Sequence, residues 1–556
     1  MNDSRRKPLA IGPSDFGKLR KAGAYYVDKS MLIKEVIECS AEVLLLPRPR
    51  RFGKTLNLTM LKYFFEKSAE DPTDLFKGLA IGEENIFKEH LGRYPVIFFT
   101  FKDMKELSWE SLQRGLTNLI RDEYLRHTAI IESDILSESE KKYFISILNN
   151  EAEFRDYADA LRYLSDFLHR FHDQQVVILI DEYDTPVQAG YQNGYYDEVI
   201  NFLRNFLSGG IKDNKHLFKG IVSGILRVAR ESIFSGLNNP GVYTFLMEEF
   251  NTGFGFTEEE VKTLLNDFDI AGRYDEVSCW YNGYNFGGRV IYNPWSILNY
   301  AASKKKQPRL YWINTGDPSI INNLATKSGK ALREELGRLV EGKAITKPVY
   351  ENIVMTDLNR NDNLLWSFLL FSGYLKIVEQ VDYENYKLQI PNQEVSMIYR
   401  DLIRTWFDEK IEANSLEEML AALENGDVNL FERLLGQVVM QVMSYHDFSS
   451  EPEKVYHALI LGMLVWLSGK YEIRSNRESG YGRYDVMLLP KDLTKQGIIL
   501  EFKKVYEDKT PEDTLEEALK QIETRQYEAE LKAAGIGDIL KLAVAFQGKE
   551  LWIKKG

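Results

Sequence analysis

The segment 48–55 reads Arg-Pro-Arg-Arg-Phe-Gly-Lys-Thr and has the residue types of a loop that binds nucleotide phosphates. In such a loop, backbone N–H groups surround phosphate oxygens at the start of a helix. Gly53 would let the backbone approach the ligand, Lys54 would reach the β- and γ-phosphates, and the Thr55 hydroxyl would bind Mg²⁺. The full pattern, G-x-x-x-x-G-K-[ST], places its first glycine where this chain has Arg48, so the match is incomplete. Because Gly-Lys-Thr is common by chance, the loop needs a second motif to predict ATP binding.

A second motif follows the apolar run at 176–180, which stops abruptly at Asp181 and Glu182. An ATPase places such an acidic strand end beside its phosphate loop. Asp181 would hold Mg²⁺ through water, and Glu182 would polarise the attacking water. The alternative is a strand capped by a solvated acidic turn, which is frequent. Both motifs together, in the right order, favour a protein that binds and hydrolyses ATP with Mg²⁺.

Candidate contacts to the terminal phosphate follow another apolar run, at 218–223. Ser223 ends this run, and Arg227 and Arg230 come shortly after it. An arginine near the γ-phosphate stabilises the charge of the transition state. Surface salt bridges explain either arginine equally well. Since ATPases of this class often assemble, either arginine could act across an interface in a homo-oligomer.

The C-terminal part of the chain carries a second set of residues that could do chemistry. Asp485 lies in one predicted strand, and Glu501 and Lys503 lie in the next, where alternate residues share a face. Two carboxylates and a lysine that converge form a Mg²⁺ site able to activate water and cleave a phosphodiester. A plain ion pair on one face of the strand explains Glu501 and Lys503 as well.

Further residues would complete this C-terminal site. A glutamate from the preceding long helix, Glu453 or less so Glu451, would add an oxygen ligand for the metal, and Gln521 and Tyr527 would orient the backbone of a nucleic acid. The stretch 507–530 has nine acidic residues against three basic ones, which disfavours DNA on that face.

The phosphate loop and the acidic strand end need a sheet to position them. Four short apolar runs predict buried strands, at 43–46, 96–99, 176–180 and 218–223. Helical patterns separate the runs, including 31–38 after the N-cap residue Ser30 and 56–65 after the loop. Strands of this length, buried on both faces, predict a parallel sheet of the P-loop NTPase kind, so the fold class is α/β.

Three domains are expected. Residues 1–245 would form the ATPase domain, 246–412 a mainly helical lid or connector, and 413–556 a second, small α/β domain. In the connector, the Gly- and Asn-rich patch 280–288 is interpreted as a packed turn. The last domain has a predicted order α-β-β-β-α-β, with helices near 416–425, 430–443, 453–468 and 511–532 and strands that include 484–489, 498–502 and 542–546.

Composition narrows the classes of function. A net charge of −13 argues against a general nucleic-acid binder. Residues 1–65, however, have 13 Lys/Arg against 6 Asp/Glu, a net charge of +7. Such a basic segment suits a phosphate ligand, and a solvated face explains it equally well. Cys39 and Cys279 are far apart, which excludes a cysteine-based zinc site and a disulfide framework. No apolar run approaches the ~18 residues of a membrane helix, and the first residues lack the apolar run of a signal peptide, so a cytoplasmic location without membrane contact is expected.

These motifs resemble those of a bacterial AAA-ATPase-like family whose members carry a C-terminal PD-(D/E)xK nuclease-superfamily domain. The resemblance covers nearly the whole chain and rests on the segments 26–30 (Tyr-Val-Asp-Lys-Ser), 48–55, 181–186 (Asp-Glu-Tyr-Asp-Thr-Pro), 231–239, 292–296 (Tyr-Asn-Pro-Trp-Ser), 475–485 and 501–503 (Glu-Phe-Lys). It implies an ATPase core, a helical lid and a restriction-endonuclease-like C-terminal fold.

The same resemblance bears on particular residues. The family commonly has arginine where Arg48 stands, so the missing glycine is a family trait, and Arg48, Arg50 and Arg51 become candidate phosphate contacts. Asp485, Glu501 and Lys503 are all present, so the sequence shows no sign that the nuclease site is inactivated. The residue between Glu501 and Lys503 is phenylalanine where a small aliphatic residue is more usual, a change expected to be tolerated.

Three functions remain open. The first is an ATP-dependent nuclease, in which the nucleotide controls a Mg²⁺-dependent cut in nucleic acid, DNA rather than RNA. The second is an ATP-operated switch whose C-terminal domain binds nucleic acid or a protein partner without cleaving. The third is a signalling or assembly ATPase that never touches nucleic acid. The negative net charge and the acidic helix favour the last two, whereas the complete Asp485, Glu501 and Lys503 set favours the first.

Overall fold

The computed structural model describes residues 7–212, 214–228, 240–312, 330–340, 342–353, 355–357, 362–408, 413–442, 460, 463–475, 478–479, 482–506 and 508–556. The chain divides into two compact units, Met1–Gly316 with Thr346–Glu394, and Asp317–Ile345 with Val395–Gly556. Most of the residues assigned above to a connector, 246–316 and 346–394, therefore belong to the same unit as the phosphate loop.

Strands of the first unit are numbered in chain order. They are β1 (Val43–Pro47), β2 (Val96–Thr100), β3 (Val176–Asp181), β4 (Leu217–Gly224), β5 (Arg227–Val228), β6 (Gly241–Val242), β7 (Phe256–Thr257), β8 (Tyr284–Phe286), β9 (Arg289–Tyr292), β10 (Ile345–Pro348), β11 (Asn352–Ile353), β12 (Lys376–Gln380) and β13 (Asn385–Gln389). The helices of eight or more residues before residue 310 are Met31–Glu38, Lys54–Phe65, Trp109–Leu125, Glu138–Leu148, Phe154–His172, Thr185–Asn193, Tyr196–Ile211, Glu258–Asp267, Tyr274–Tyr281 and Pro294–Ala302.

A parallel sheet organises this unit, as the four apolar runs predict. Among the described residues its order is β2-β3-β4-β1-β6, and each neighbouring pair is parallel. All six residues of β3 are buried, which explains why its sequence shows a continuous apolar run rather than alternation. Because β1, β3 and β4 run in one direction, their carboxyl ends meet at one edge, where β1 leads into the phosphate loop and β3 ends at Asp181.

Among its described residues, the region 246–412 has more helix than strand, in line with the prediction, but it also contains two sheets that were not predicted. Its described residues contain an antiparallel sheet in the order β7-β9-β8 and a second sheet in the order β10-β13-β12, in addition to helices such as Asp362–Phe371 and Gln393–Asp408. Strands of two to five residues are too short for a period of two to stand out in the sequence.

The patch 280–288 forms a hairpin. Helix Tyr274–Tyr281 ends here, and β8 and β9 are joined by Gly287 and Gly288, which have φ of 50° and 80°. A Cβ on Gly287 would lie 2.1 Å from the carbonyl oxygen of Met247, so only glycine fits. The interpretation as a packed turn is correct for these two glycines.

The second unit is built on a mixed sheet. Its strands are β14 (Tyr471–Ser475), β15 (Glu478–Ser479), β16 (Gly482–Arg483), β17 (Val486–Pro490), β18 (Gly497–Lys504), β19 (Ile539–Gln547) and β20 (Glu550–Lys555). Within the described part of this unit the main sheet has the order β14-β17-β18-β19-β20, and β18 and β19 are parallel while the other pairs are antiparallel. Helix Pro511–Thr524, which begins at a capping box of Thr510 and Asp513, connects the two parallel strands.

The predicted C-terminal elements are largely confirmed. Helices Ala413–Glu424 and Val428–Val442 pack against one face of the sheet through a shared hydrophobic core. The predicted order has three strands before the helix but bounds for only two, and β14 supplies the third, whereas β20 was not predicted. The expected helix 453–468 lies mostly outside the described residues, with a 3₁₀-helix at Val465–Gly469. In the part of the chain that the structure describes, no helix is both long and apolar enough to cross a membrane.

Candidate nucleotide and metal sites

The phosphate loop joins β1 to helix Lys54–Phe65. Gly53 and Arg51 have left-handed backbone conformations, with φ of 86° and 67°. Lys54 is 5% exposed, and its Nζ donates hydrogen bonds to the carbonyl oxygens of Arg48 (3.0 Å) and Pro49 (2.9 Å). Burial lowers the pKa of Lys54, and nearby carboxylates oppose this shift. The ammonium therefore lies inside the concave side of the loop, where a phosphate would meet it.

Thr55 and Asp181 are in direct contact. The Thr55 hydroxyl donates to Asp181 Oδ2 at 2.7 Å, which brings together the loop and the end of β3. Asp181 is fully buried, and among the described residues its Oδ1 has no hydrogen-bond partner. Burial raises the pKa of Asp181 to about 6, although the bond from Thr55 opposes the shift. A hydroxyl and a buried carboxylate with an unsatisfied oxygen fit the oxygen ligands that Mg²⁺ prefers.

Glu182, Ser223 and Arg227 are placed at or near the same edge. Glu182 has φ of 51° and is close enough to Lys54 for their charges to interact. Ser223 pairs with Leu46 at the end of β1, and its buried Oγ has no partner among the described residues. Arg227 lies in β5, beyond the end of β4, whereas Arg230 lies outside the described residues.

Arg48 is a structural residue, which corrects the expectation that its side chain contacts phosphate. It is fully buried, and its guanidinium donates to the carbonyl oxygens of Pro47 (2.8 Å), Tyr243 (2.7 Å) and Phe250 (3.1 Å). The ring of Phe254 lies 5.0 Å from the guanidinium carbon. The sequence could not reveal this role, because the carbonyl groups come from a segment about 200 residues further along the chain.

Replacing Arg48 by alanine is expected to lower the free energy of unfolding by about 3–5 kcal/mol, because it leaves buried carbonyls without a donor and opens a cavity. Urea denaturation of wild type and variant would measure the change. Arg121→Ala, at a partly exposed side chain paired with Asp122, serves as the control and should cost less than about 1 kcal/mol. A similarly small cost for Arg48→Ala would contradict the structural role.

Residues that the sequence analysis missed surround the other two arginines. The guanidinium of Arg50 donates to Gln188 Oε1 at 3.2 Å, and the carbonyl oxygen of Arg50 accepts from the indole of Trp312 at 3.2 Å. The guanidinium of Arg51 lies 4.2 Å from the ring centroid of Trp295. Trp295 belongs to the Tyr-Asn-Pro-Trp-Ser segment, and that segment was the one feature of the sequence that could have marked Trp295 as part of the site. Nothing in the pattern connected that segment to the loop.

The C-terminal residues come together as predicted. Register pairing of Val486 with Leu500 places Asp485 opposite Glu501 on neighbouring strands. Asp485 Oδ2 accepts from the backbone N–H of Phe502 at 2.8 Å, and Lys503 Nζ lies 3.7 Å from Glu501 Oε1.

Gln521 and Tyr527 also reach this site. Gln521 donates from Nε2 to Glu501 Oε1, and the same nitrogen lies 3.0 Å from the Tyr527 hydroxyl. Gln521 therefore contacts a site carboxylate, whereas its expected contact was the backbone of a nucleic acid. Glu453 and Glu451 lie outside the described residues.

Glu501 has the properties of a carboxylate that binds a metal ion. It is 2% exposed, and its Oε2 has no hydrogen-bond partner among the described residues. Burial and the adjacent Asp485 raise the pKa of Glu501 to about 8, while Lys503 opposes the shift. Asp485 and Glu501 supply carboxylate oxygens that fit Mg²⁺, although in the described chain no group of three or more His, Cys, Asp or Glu is arranged around a metal position.

The raised pKa of Glu501 predicts how stability depends on pH. Because the folded carboxyl keeps a proton up to about pH 8 that the unfolded chain loses near its ordinary pKa of 4.5, the free energy of unfolding should fall as pH rises between these values. The slope would be at most about 1.4 kcal/mol per pH unit. Melting temperatures of wild type and Glu501→Gln across this range would test it.

Glu501→Gln should flatten the dependence, whereas Glu523→Gln, at an exposed position of helix Pro511–Thr524, should not. Excess Mg²⁺ should raise the melting temperature of wild type most at high pH, since it binds the ionised form. A wild-type profile identical to that of Glu501→Gln would show that Glu501 ionises normally.

The acidic helix is partly neutralised. Lys554 forms ion pairs with Glu512 and, at 3.2 Å, with Glu516, and Lys509 lies 2.5 Å from Glu517. These ion pairs reduce the negative charge of the stretch 507–530, whose acidic residues disfavour DNA binding.

Comparison with known proteins assigns a family to each of the two regions that contain these sites. Residues 10–234 match the model of a family described as predicted AAA-ATPase, and residues 451–556 match that of the PD-(D/E)XK nuclease superfamily. Residues 10–234 therefore form a predicted AAA-ATPase-like domain, and residues 451–556 form a C-terminal PD-(D/E)XK nuclease-superfamily domain. It is also 29% identical, over 400 residues, to an uncharacterised protein in the vnfD 5′ region of Azotobacter chroococcum mcd 1, covering 70% of this chain and 68% of that protein.

Proposed function

We propose that this protein binds ATP with Mg²⁺ at the phosphate loop, hydrolyses it, and thereby controls a Mg²⁺-dependent nuclease domain. The hydrogen bond between Thr55 and Asp181 carries the proposal, because it joins the two halves of a nucleotide–metal site that lie far apart in the chain. Asp181 Oδ1, which has no hydrogen-bond partner in the described part of the chain, supports a cation as its partner.

In the N-terminal site, Mg²⁺ bound together with ATP would neutralise part of the negative charge of the phosphates. Lys54 would exchange its bonds to the loop carbonyls for bonds to phosphate oxygens, a change of partner that needs little movement of the loop. Thr55 and Asp181 would hold the cation, and Glu182 would accept a hydrogen bond from the attacking water. Ser223 would donate its free hydroxyl at the same edge.

In the C-terminal site, Asp485 and Glu501 would hold Mg²⁺, whose role is to lower the pKa of a bound water and to stabilise the leaving oxygen. Lys503 would orient that water and stabilise negative charge on the phosphodiester. Gln521 fixes one oxygen of Glu501, so the other is free for the cation. Glu453 stays a candidate for a further ligand.

Nucleic acid, DNA rather than RNA, is the proposed partner of this domain, and a homo-oligomer is the proposed assembly. A second candidate is an ATP-operated switch that binds nucleic acid or a protein without cleaving. The acidic helix favours the switch, since its charge disfavours close approach of a phosphate backbone.

Purified wild-type protein should be incubated with single- and double-stranded DNA and RNA, in Mg²⁺ or Mn²⁺, with ATP, with a non-hydrolysable analogue, or without nucleotide. Cleavage of DNA that depends on ATP would support the nuclease. Hydrolysis of ATP with every nucleic acid left intact would support the switch. Protein that binds no ATP would overturn the proposal for the N-terminal site.

A further inference from the structure

A chain of hydrogen bonds leads away from the phosphate loop through Arg50. The Arg50 guanidinium donates to Gln188 Oε1 at 3.2 Å, and Gln188 Nε2 donates to Asp184 Oδ2 at 3.0 Å. The same Asp184 oxygen accepts the backbone N–H groups of Ile225 (3.0 Å) and Leu226 (3.1 Å). The loop is thus tied to the turn that follows β4.

Gln188 is suited to this link because a carboxamide accepts at one end and donates at the other. Asp184 provides a fixed anchor: it is 1% exposed and, as the N-cap residue of helix Thr185–Asn193, lies one turn before Gln188. Hence the orientation of the Gln188 side chain is set by a buried carboxylate, and its oxygen is directed at Arg50.

Arg50 is held at both ends. Its carbonyl oxygen accepts from the Trp312 indole at 3.2 Å, and its guanidinium is bound by Gln188. Burial is the main cause of the lowered pKa of Lys54, and the nearby charge of Arg50 lowers it further. Glu182, Asp181 and Asp184 offset part of this repulsion, and a bound phosphate would add further negative charge beside the two cations.

We infer that Gln188 and Asp184 are positioning residues that hold the Arg50 guanidinium beside the terminal phosphate. There it would stabilise the charge that develops during hydrolysis. This inference rests on the proposed ATP hydrolysis. An arginine of this kind can come from the same chain or from a partner, and here the hydrogen bonds assign it to the same chain.

A double-mutant cycle tests the inference, with Arg50→Ala, Gln188→Ala and the double variant in the full-length chain. The readouts are kcat for ATP and the Kd of the fluorescent nucleotide MANT-ADP with Mg²⁺. Arg50→Ala should lower kcat about a hundredfold or more and change the Kd by less than about tenfold. Gln188→Ala should lower kcat about tenfold, and the double variant should be no slower than Arg50→Ala, because Gln188 acts through Arg50.

Gln192→Ala provides the matched control, since Gln192 is an exposed glutamine one turn further along the same helix. It should leave kcat unchanged, and melting temperatures would show that all variants fold. Unchanged kcat in Gln188→Ala, or effects of Arg50 and Gln188 that multiply in the double variant, would overturn this inference alone. Wild type that binds no MANT-ADP would overturn the proposed nucleotide site together with it.

Discussion

Lys54→Ala is expected to abolish ATP turnover, with kcat lower by at least about a hundredfold, the loss that follows removal of one donor to transition-state charge. The buried ammonium lies in the concave side of the loop and has carbonyl groups as its hydrogen-bond acceptors, which a phosphate can replace. No other described lysine is placed within the loop. Release of inorganic phosphate measures turnover, and MANT-ADP binding shows whether affinity is lost as well.

Two further variants make the result for Lys54 interpretable. Lys62→Ala removes a lysine from the last turn of the same helix, next to the ring of Phe98, and should leave turnover unchanged. Lys54→Met fills the space of the lysine stem without its charge, so it separates loss of function from loss of stability. Normal hydrolysis in both Lys54 variants would mean that the loop does not bind the nucleotide.

Glu501→Ala and Lys503→Ala are each expected to reduce cleavage of nucleic acid to background. The Glu501 variant would lack a metal ligand, and the Lys503 variant would lack the cation next to the metal. Each substitution should therefore reduce cleavage by more than the roughly tenfold to hundredfold effect of changes outside the ligand shell. End-labelled DNA resolved on denaturing gels would measure the rates. ATP hydrolysis by these variants should continue, since Lys54 and Asp181 are unaltered.

Lys504→Ala is the matched control for Lys503→Ala. It removes the same charge from the next position of β18, where the side chain points to the opposite face. Cleavage should therefore fall much less in Lys504→Ala. Activity that survives in both the Glu501 and Lys503 variants would come from a contaminating nuclease.

Local pattern was sufficient for the elements that carry the two sites. The apolar runs that end at Pro47, Asp181 and Gly224 are strands of one parallel sheet because each is buried on both faces and needs a continuous apolar sequence. Likewise, alternation on β18 correctly predicted that Glu501 and Lys503 share a face.

Other features of the structure could not be predicted from the local sequence pattern. The strands of the region 246–412 have only two to five residues, so their alternation is too short to be recognised in the sequence. The burial of Arg48 depends on carbonyl groups at residues 243 and 250, and the cover of the loop depends on Trp295 and Trp312. Each of these contacts joins residues about 200 or more positions apart, where spacing carries no information.

The sequence by itself determined the types of chemical group and the order of the elements that bear them: a lysine and a threonine after one strand, carboxylates after another, and a carboxylate–lysine pair on a third. Tertiary structure decided which of these groups meet a partner. Folding leaves Asp181 and Glu501 each with one oxygen that has no partner among the residues the structure describes, surrounds Arg48 with backbone acceptors, and links Arg50 to Gln188. The physical reason is that burial and hydrogen bonding depend on distance in space, whereas a sequence pattern reports only distance along the chain.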